Sequence, residues 1–307
     1  MRGLTVTDPG PSSTIQDTGR AGYAALGVGR SGAADGPAAA LANRLVANPP
    51  GAAVVESTLG GVHVRAHGRV TVAVTGAPCP LTVAVPDASS VHGAAMNTVL
   101  HLADGATLRL GRPTRGLRSY LALRGGIDVP PVLGSRSTDL LAGLGPPALA
   151  PGTWLPAGPP PAAFPRLDSA PVPEVPDGSI TLRAVLGPRC AWFTHEAHAS
   201  LRESGFTVTP RSNRIGLRLD GPELPRARGG ELPSEGMMPG SLQVPPGGEP
   251  VLFLADHPVT GGYPVLAVVH SADLPRAAQA PPGCRLRFRI IEPASAEGAV
   301  RALPRPR

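Results

Sequence analysis

Between residues 62 and 123 the apolar side chains of this chain recur at every second position, in short runs separated by glycine turns. In HGRVTVAVTG, Val70, Val72 and Val74 alternate with Thr71 and Ala73. Successive side chains of a strand point to opposite faces, so this period lays an apolar face on a sheet and gives a helix none. The same reading predicts strands over 62–65, 69–74, 81–85, 98–102, 107–110 and 119–123. Asp104-Gly105, lying between two alternating runs, reads as a hairpin turn. Hydrophobic residues make up 42% of the chain and aromatics only 3%, so the core has to be built from Val, Leu, Ile and Ala.

Helical patterning is confined to short stretches. Asp35 is placed to cap a helix that has Pro37 in its first turn and ends before Asn48-Pro49. The segment before it, beginning STIQDTG at Ser13, reads as a long loop in which Asp17, Arg20, Ser31 and Asp35 are spaced among glycines. A second short helix starts after Thr194 and stops near Gly205; a third follows Asp273, which is placed to cap it. Strands are expected at 4–7, 179–186, 251–255, 265–270 and 285–290. In the last of these, Leu286, Phe288 and Ile290 face one way and three arginines the other. The proline-dense stretch 156–178 is the best boundary in the chain. It divides an N-terminal domain over 1–155 from a C-terminal one over 179–292, with a flexible basic tail at 293–307. Length permits one large domain or two ordinary ones.

Charge and cysteine usage exclude several chemistries. The formal net charge is +6, and the chain contains no lysine, so every basic side chain apart from histidine is an arginine. Schiff-base lysine chemistry and the lysine of a phosphate loop are therefore unavailable. Arginines are scattered and aromatics few, which argues against nucleic acid as a partner. Cys79, Cys190 and Cys284 lie far apart, without metal-ligand spacing, and their odd number argues against a disulfide framework. His195 and His198 stand three apart, where a zinc-peptidase helix needs four, so no metal site is assigned. With no apolar leader and no run of membrane-spanning length, a cytoplasmic protein with no membrane partner is expected.

Chemistry-bearing residues concentrate between 231 and 264, in ELPSEGMMPGSLQVPPGGEPVLFLADHPVTGGYP. Two glycine-rich polar loops flank one apolar run, and binding groups commonly sit on loops that a rigid sheet positions. Glu235, Asp256 and Tyr263 are the candidate catalytic residues. Asp17, Arg20, Ser31, Asp35, Arg214, Gln243 and Thr260 are candidates for holding the substrate or an anion. Ordinary turns, caps and structural ion pairs are the competing reading of each. Glu56, in the apolar segment AAVVESTLGG, reads as a sheet-edge charge or a loop carboxylate near a ligand, the edge slightly preferred. Ser135, Arg136, Ser137 and Thr138 read as an anion-binding turn or a helix cap.

Six blocks, in order, resemble the family of 5-oxoprolinase C subunits, also called KipA-like, allophanate hydrolase subunit 2-like or biotin-dependent carboxyltransferase-like. They are TIQDTGRAGYAALGVGRSGAADGPAAALANRLVANP, LRGGIDVPPVLGSRST, SNRIGLRLDGP, ELPSEGMMPGSLQVPPGG, ADHPVTGGYP and SADLPRAAQAPPG. The resemblance implies a mainly β fold with short helices, arranged as two cyclophilin-like β-barrel domains. It implies two partners, a KipI-like protein and a third, lactam-utilisation subunit. Together these would open a small-molecule amide, 5-oxo-L-proline, to L-glutamate with ATP and Mg2+, the nucleotide sitting mainly on another subunit. Phosphorylating the amide oxygen would make an unstrained lactam carbonyl electrophilic enough for water to attack. Related arrangements implied by the same resemblance are carboxyl transfer from a biotin carrier in urea carboxylase, and a non-enzymatic antagonist of a kinase inhibitor. Three departures from the usual pattern stand out: His257-Pro258-Val259 before TGGYP, Ala47 in LVANP and Asp139 after SRST. The first puts substrate choice in question. Under this reading Arg20, Arg214, Glu235 and Asp256 are expected to converge on one shared cleft.

Overall fold

A computed structural model describes residues 2–86, 91–230 and 232–292, so the expected basic tail lies outside the described residues. The fold is mainly β with three short α-helices, as the periodicity requires.

In the first half, eleven strands form two sheets. They are β1 (Gly3–Pro9), β2 (Ser12–Gln16), β3 (Val54–Thr58), β4 (Val62–His67), β5 (Val70–Gly76), β6 (Leu81–Ala84), β7 (Val91–Ala94), β8 (Val99–Leu102), β9 (Thr107–Leu110), β10 (Arg118–Leu123) and β11 (Trp154–Pro156). The six-stranded sheet runs β11-β1-β4-β9-β6-β7 and the five-stranded one β2-β3-β10-β5-β8. Their apolar faces enclose one aliphatic core, with Leu4, Val64 and Leu108 from the first sheet against Val55, Val72 and Leu121 from the second. Burying each such side chain contributes about 1.5–3 kcal/mol.

Helix α1 (Gly36–Leu45) covers the other face of the five-stranded sheet, packing Ala39, Ala42 and Leu45 against Ala73, Tyr120 and Ala122. That explains why β10 is buried at every position and reads as a continuous run instead of an alternation. Asp35 caps α1 as expected, accepting from the Ala38 N–H at 3.1 Å.

Two local expectations are corrected. The segment expected to be loop contains β2, whose polar residues Ser13, Thr14 and Gln16 are buried and hide the strand from a hydrophobicity reading. Asp104-Gly105 does not close a hairpin: β8 pairs with β5 in one sheet and β9 with β4 and β6 in the other, so the turn carries the chain between sheets.

The second half contains β12 (Ser179–Leu186), α2 (His195–Glu203), β13 (Gly205–Val208), β14 (Gly216–Asp220), β15 (Glu235–Gly236), β16 (Ser241–Gln243), β17 (Val251–Phe253), β18 (Thr260–Gly261), β19 (Val265–Val269), α3 (Leu274–Ala278) and β20 (Arg285–Ile290). Seven of these strands close into a barrel in the order β12-β19-β16-β17-β14-β13-β20, with β20 returning parallel to β12. Leu182, Leu217, Leu252, Leu266 and Phe288 fill it. On β20 the three arginines are exposed while Leu286 and Phe288 point inward, matching the alternation read from the sequence. Strands β15 and β18 form a separate two-stranded ribbon.

Thr194 caps α2 through the Ala197 N–H. Asp273 does not cap α3 with its side chain. Its carboxylate is taken by Arg183 on β12 instead, through Nε at 2.9 Å, Nη2 at 2.7 Å and the backbone N–H at 2.7 Å. A charge-assisted fork outcompetes a single capping bond. Among the described residues, no helix is long and apolar enough to cross a membrane.

Candidate functional site

The first-half loops and the open end of the barrel meet over a continuous, buried polar network. Its centre is Glu56, in the middle of β3 and only 1% exposed, which corrects its reading as an edge charge. Tyr120 Oη donates to Glu56 Oε2 at 2.9 Å, and the Ala34 N–H donates to the same oxygen at 2.8 Å. Arg214, arriving from the second half, donates Nη1 to Glu56 Oε1. The same guanidinium grips Asp256 with Nε at 2.8 Å and Nη2 at 2.9 Å, and also reaches Gly32 O at 2.7 Å. Ser31 Oγ closes the ring by donating to Asp256 Oδ1 at 2.6 Å. Ser31 holds φ 55°, an unusual value for a side chain with a Cβ, and its bond across the two halves supplies the compensation.

A second group of contacts continues the network. Gln279 Nε2 donates to Asp35 Oδ2 at 2.8 Å, while its Oε1 accepts from the Leu117 and Arg118 N–H groups at 3.0 and 2.9 Å. Arg118 reaches back to Ala278 O, and its Nε lies 3.5 Å from Glu56 Oε1.

Burial alone would raise the pKa of Glu56. Arg214, then Arg118 and the Ala34 N–H, outweigh it and hold the carboxyl below its ordinary range. Burial dominates at Asp35 and raises its pKa against the opposing bonds from Gln279 and Ala38. Tyr120 is pushed well above the ordinary tyrosine range by burial and then by Glu56 and Asp35, so it stays a neutral donor. Arg214 is desolvated, yet the two carboxylates raise its pKa and keep it charged.

Beside this network, the turn at Ser135–Ser137 does bind an anion, the carboxylate of Asp17 from the same half. Asp17 Oδ1 accepts from Ser135 Oγ at 2.6 Å, Ser137 Oγ at 2.6 Å and the Gly19 N–H at 2.8 Å; Oδ2 accepts from the Arg136 N–H at 2.6 Å. These bonds override the effect of burial and lower its pKa. Gly19, at φ 79°, has to be glycine here, because a Cβ would stand 2.4 Å from Arg30 O. Arg20 is buried behind the same turn, donating to Ser137 O, with Nη1 3.9 Å from Asp139. Asp139 caps its own turn by accepting from Leu141 and Ala142 N–H groups.

The remaining candidates sit on the barrel rim. Glu235 on β15 is gripped by Arg189, with Nε 3.0 Å from Oε1 and 3.2 Å from Oε2. The hydrogen bonds from Arg189 lower its pKa against the opposing effect of desolvation. Gln243 is buried and donates Nε2 to Tyr263 O at 3.0 Å, holding the ribbon rather than facing solvent. Thr260 and Tyr263 are exposed on or beside β18. His257 stacks on Phe253 at 6.1 Å, and burial lowers its pKa so that it is neutral near neutral pH.

The ten candidates thus fall into three places. Ser31, Asp35, Arg214 and Asp256 share the central network. Asp17 and Arg20 share the adjoining turn. Glu235, Gln243, Thr260 and Tyr263 share the barrel rim. The expected convergence holds for Arg214 and Asp256; Arg20 and Glu235 find partners elsewhere, with Ser137 and Asp139 and with Arg189. Arg214 has its fork committed to protein carboxylates, and both oxygens of Asp256 are occupied, so neither is free to meet a ligand from solvent.

Glu56, Tyr120, Arg118, Arg189 and Gln279 lie outside the candidates that the sequence suggests. A carboxylate within an apolar strand run is the one available signal, at Glu56.

Above the network lies a cleft of about 400 Å³ between the two halves. Ala33, Ala34, Ala39 and Gly51 line the first-half side and Leu254 and Leu274 the other. Arg30, exposed, and Ser31 stand at its edge. Such a cleft accepts a compact molecule; Arg30, whose Nε donates to Thr18 O at 3.2 Å, is its lining cation, and Asp17 is its lining carboxylate. Among the described residues, no three His, Cys, Asp or Glu side chains group to hold a metal ion.

Residues 26–290 match the family described as carboxyltransferase domain, subdomain A and B. The chain is 37% identical to the C subunit of 5-oxoprolinase from Escherichia coli (strain K12), over 93% of this chain and 90% of that one. It superposes on the solved structure of TTHA0988 with a TM-score of 0.83 at 35% identity, covering 94% of this chain and 56% of that one. On the Kluyveromyces lactis urea carboxylase the TM-score is 0.86 at 31% identity, covering 94% of this chain and 27% of that one. The chain therefore spans about half of the first solved structure and about a quarter of the second.

Proposed function

The chain belongs to the carboxyltransferase domain family, subdomain A and B, and from that premise we propose that it serves as the C subunit of a 5-oxoprolinase-type complex. The reaction is 5-oxo-L-proline + ATP + two waters to L-glutamate + ADP + phosphate. A KipI-like protein and a third, lactam-utilisation subunit work with it. One observation carries this reading: the similarity to the C subunit of the Escherichia coli 5-oxoprolinase runs over nearly the full length of both chains.

The cleft between the halves supports the same substrate class. A five-membered lactam is compact, and the cleft of about 400 Å³, walled largely by alanine and glycine, has room to admit it. Arg30 at the edge is the side chain available to its carboxylate. The central network acts at one remove. By joining Arg214, Glu56, Asp256 and Ser31 across the halves, it holds the two cleft walls at a fixed separation, which is what positioning a reactant demands.

On this reading ATP and Mg2+ sit mainly on a partner subunit. This chain has no lysine for a phosphate loop, and its described carboxylates do not group as metal ligands. The nucleotide is assigned to the partner subunits, and this chain's part is to bind, orient and shield the lactam. A carboxyltransferase role, with carboxyl transfer from a separate biotin carrier, is favoured by the TM-score of 0.86 against urea carboxylase.

Purified complex is the test. With all three subunits present, 5-oxoproline-dependent ATP turnover is expected, and Ala40→Trp, which fills the cleft, is expected to abolish it while the three proteins still purify together. No turnover from the wild-type complex, together with carboxylation of an amide when a biotinylated carrier is supplied, would transfer the assignment to the second reading.

A further inference from the structure

On the first half, far along α1 from its capped end, the proline-rich stretch leaves two adjoining grooves of about 330 and 290 Å³ that share Phe164 as a wall. Phe164 is 79% exposed and Leu167 65%, although both are large and apolar. The position of Phe164 is built rather than loose. Arg124 stacks on its ring at 5.2 Å and is itself anchored, donating Nη1 to Val46 O and Nη2 to the carbonyls of Pro161 and Ala163. Leu41 and Leu45 of α1 complete the apolar floor.

Around this floor the charge has one sign. Arg2 and Arg69 line one groove and Arg44 and Arg166 the other, and among the described residues no carboxylate lines either. Among the described residues, too, none of these four arginines forms an ion pair, whereas nine other arginines do. An exposed apolar strip rimmed by unpaired cations marks a recognition surface. Charge then selects the occupant. This chain's own segment 293–307 carries three arginines and one glutamate, and a second copy brings a net charge of +6, so both are repelled.

We propose that these grooves dock a partner protein of the complex through a segment that carries carboxylates interspersed with apolar side chains. The apolar side chains cover Phe164 and Leu167, and the carboxylates meet Arg44, Arg166 and Arg69. The proposal rests on the complex described above for the existence of the partner, but not for its activity.

The test is binding between this chain and the co-produced partner subunits, measured by calorimetry at low and high salt. Phe164→Ala with Leu167→Ser, and separately Arg44→Glu with Arg166→Glu, are each expected to weaken binding at least tenfold. All four positions are on the surface, so folding is not at stake. Wild-type affinity is expected to fall as salt rises, and Arg202→Glu on α2 is expected to change nothing. Binding that is unchanged in both groove variants would overturn the proposal and leave the assigned function standing. Wild-type chain that binds neither partner would remove both.

Discussion

Arg214 and Arg189 each grip a carboxylate of the barrel half with two nitrogens, Asp256 and Glu235 respectively; Arg214 also reaches across to Glu56 of the first half, while Arg189 stands at the rim of the barrel. Around Arg214 water is excluded, and its partners Glu56 and Asp256 are both 1% exposed. Around Arg189 solvent reaches both partners. Similar chemistry therefore does different work. The buried cluster ties the two folded halves together through Glu56, because removing its cation strands desolvated carboxylates on both sides. The rim pair can open and re-form at little cost, which suits a ribbon that has to accommodate a ligand or a neighbour.

The sharpest way to break this contrast is Arg214→Met, which leaves Glu56 and Asp256 without their principal cation. A loss of about 3–5 kcal/mol in urea denaturation is expected. A loss below about 1 kcal/mol would mean that the interface tolerates the charges through solvent and is not dry. Asp17→Ala is expected to cost about 2–3 kcal/mol, because two hydroxyls and two N–H groups lose their acceptor in a largely buried turn.

Asp273 tests an intermediate case, since its partner Arg183 is 39% exposed. Its carboxyl is held at about 2 by Arg183 against an ordinary 3.8, so the unfolded chain takes up the proton first. The stabilisation is complete above 3.8 and fades as pH falls toward 2. Asp273→Asn should remove about 1 kcal/mol near neutral pH and flatten that acid limb, the value being small because solvent screens Arg183. Glu235→Gln is expected to leave the denaturation midpoint unchanged, and a measurable drop would show that the rim pair is structural after all.

How much of this is legible in the sequence depends on what each residue is paired with. Alternation at Val70–Val74 and at Leu286–Phe288 locates strands because one face of each meets a core. β2 escapes because three of its four buried positions are the polar Ser13, Thr14 and Gln16, which leave no apolar alternation to read. Gln16 Nε2 donates to Thr138 O across 122 positions. The capping role of Asp35 is visible because its acceptor geometry is local, whereas the pairing of Asp273 with Arg183 spans 90 positions and nothing nearby announces it. Glu56 stands out as anomalous but is misplaced, since a carboxylate in an apolar strand is tolerable only if a cation arrives from elsewhere, and Arg214 lies 158 positions away. Sequence reasoning thus finds polar residues of consequence. Which of them face solvent and which face each other is a property of the assembled halves.

One detail of connectivity has a bearing on how the molecule is made. The barrel is sealed by pairing β12 with β20, its earliest and latest strands, side by side and in parallel. Gln279, which ties the halves together, also comes near the end of the barrel. A nascent chain leaving the ribosome can assemble its first two sheets early. It then has to carry an unsealed, leucine-rich trough until the last strand emerges, and pairings this distant in sequence form slowly. The interval before β20 arrives is when this chain is most exposed to aggregation and has most to gain from a chaperone.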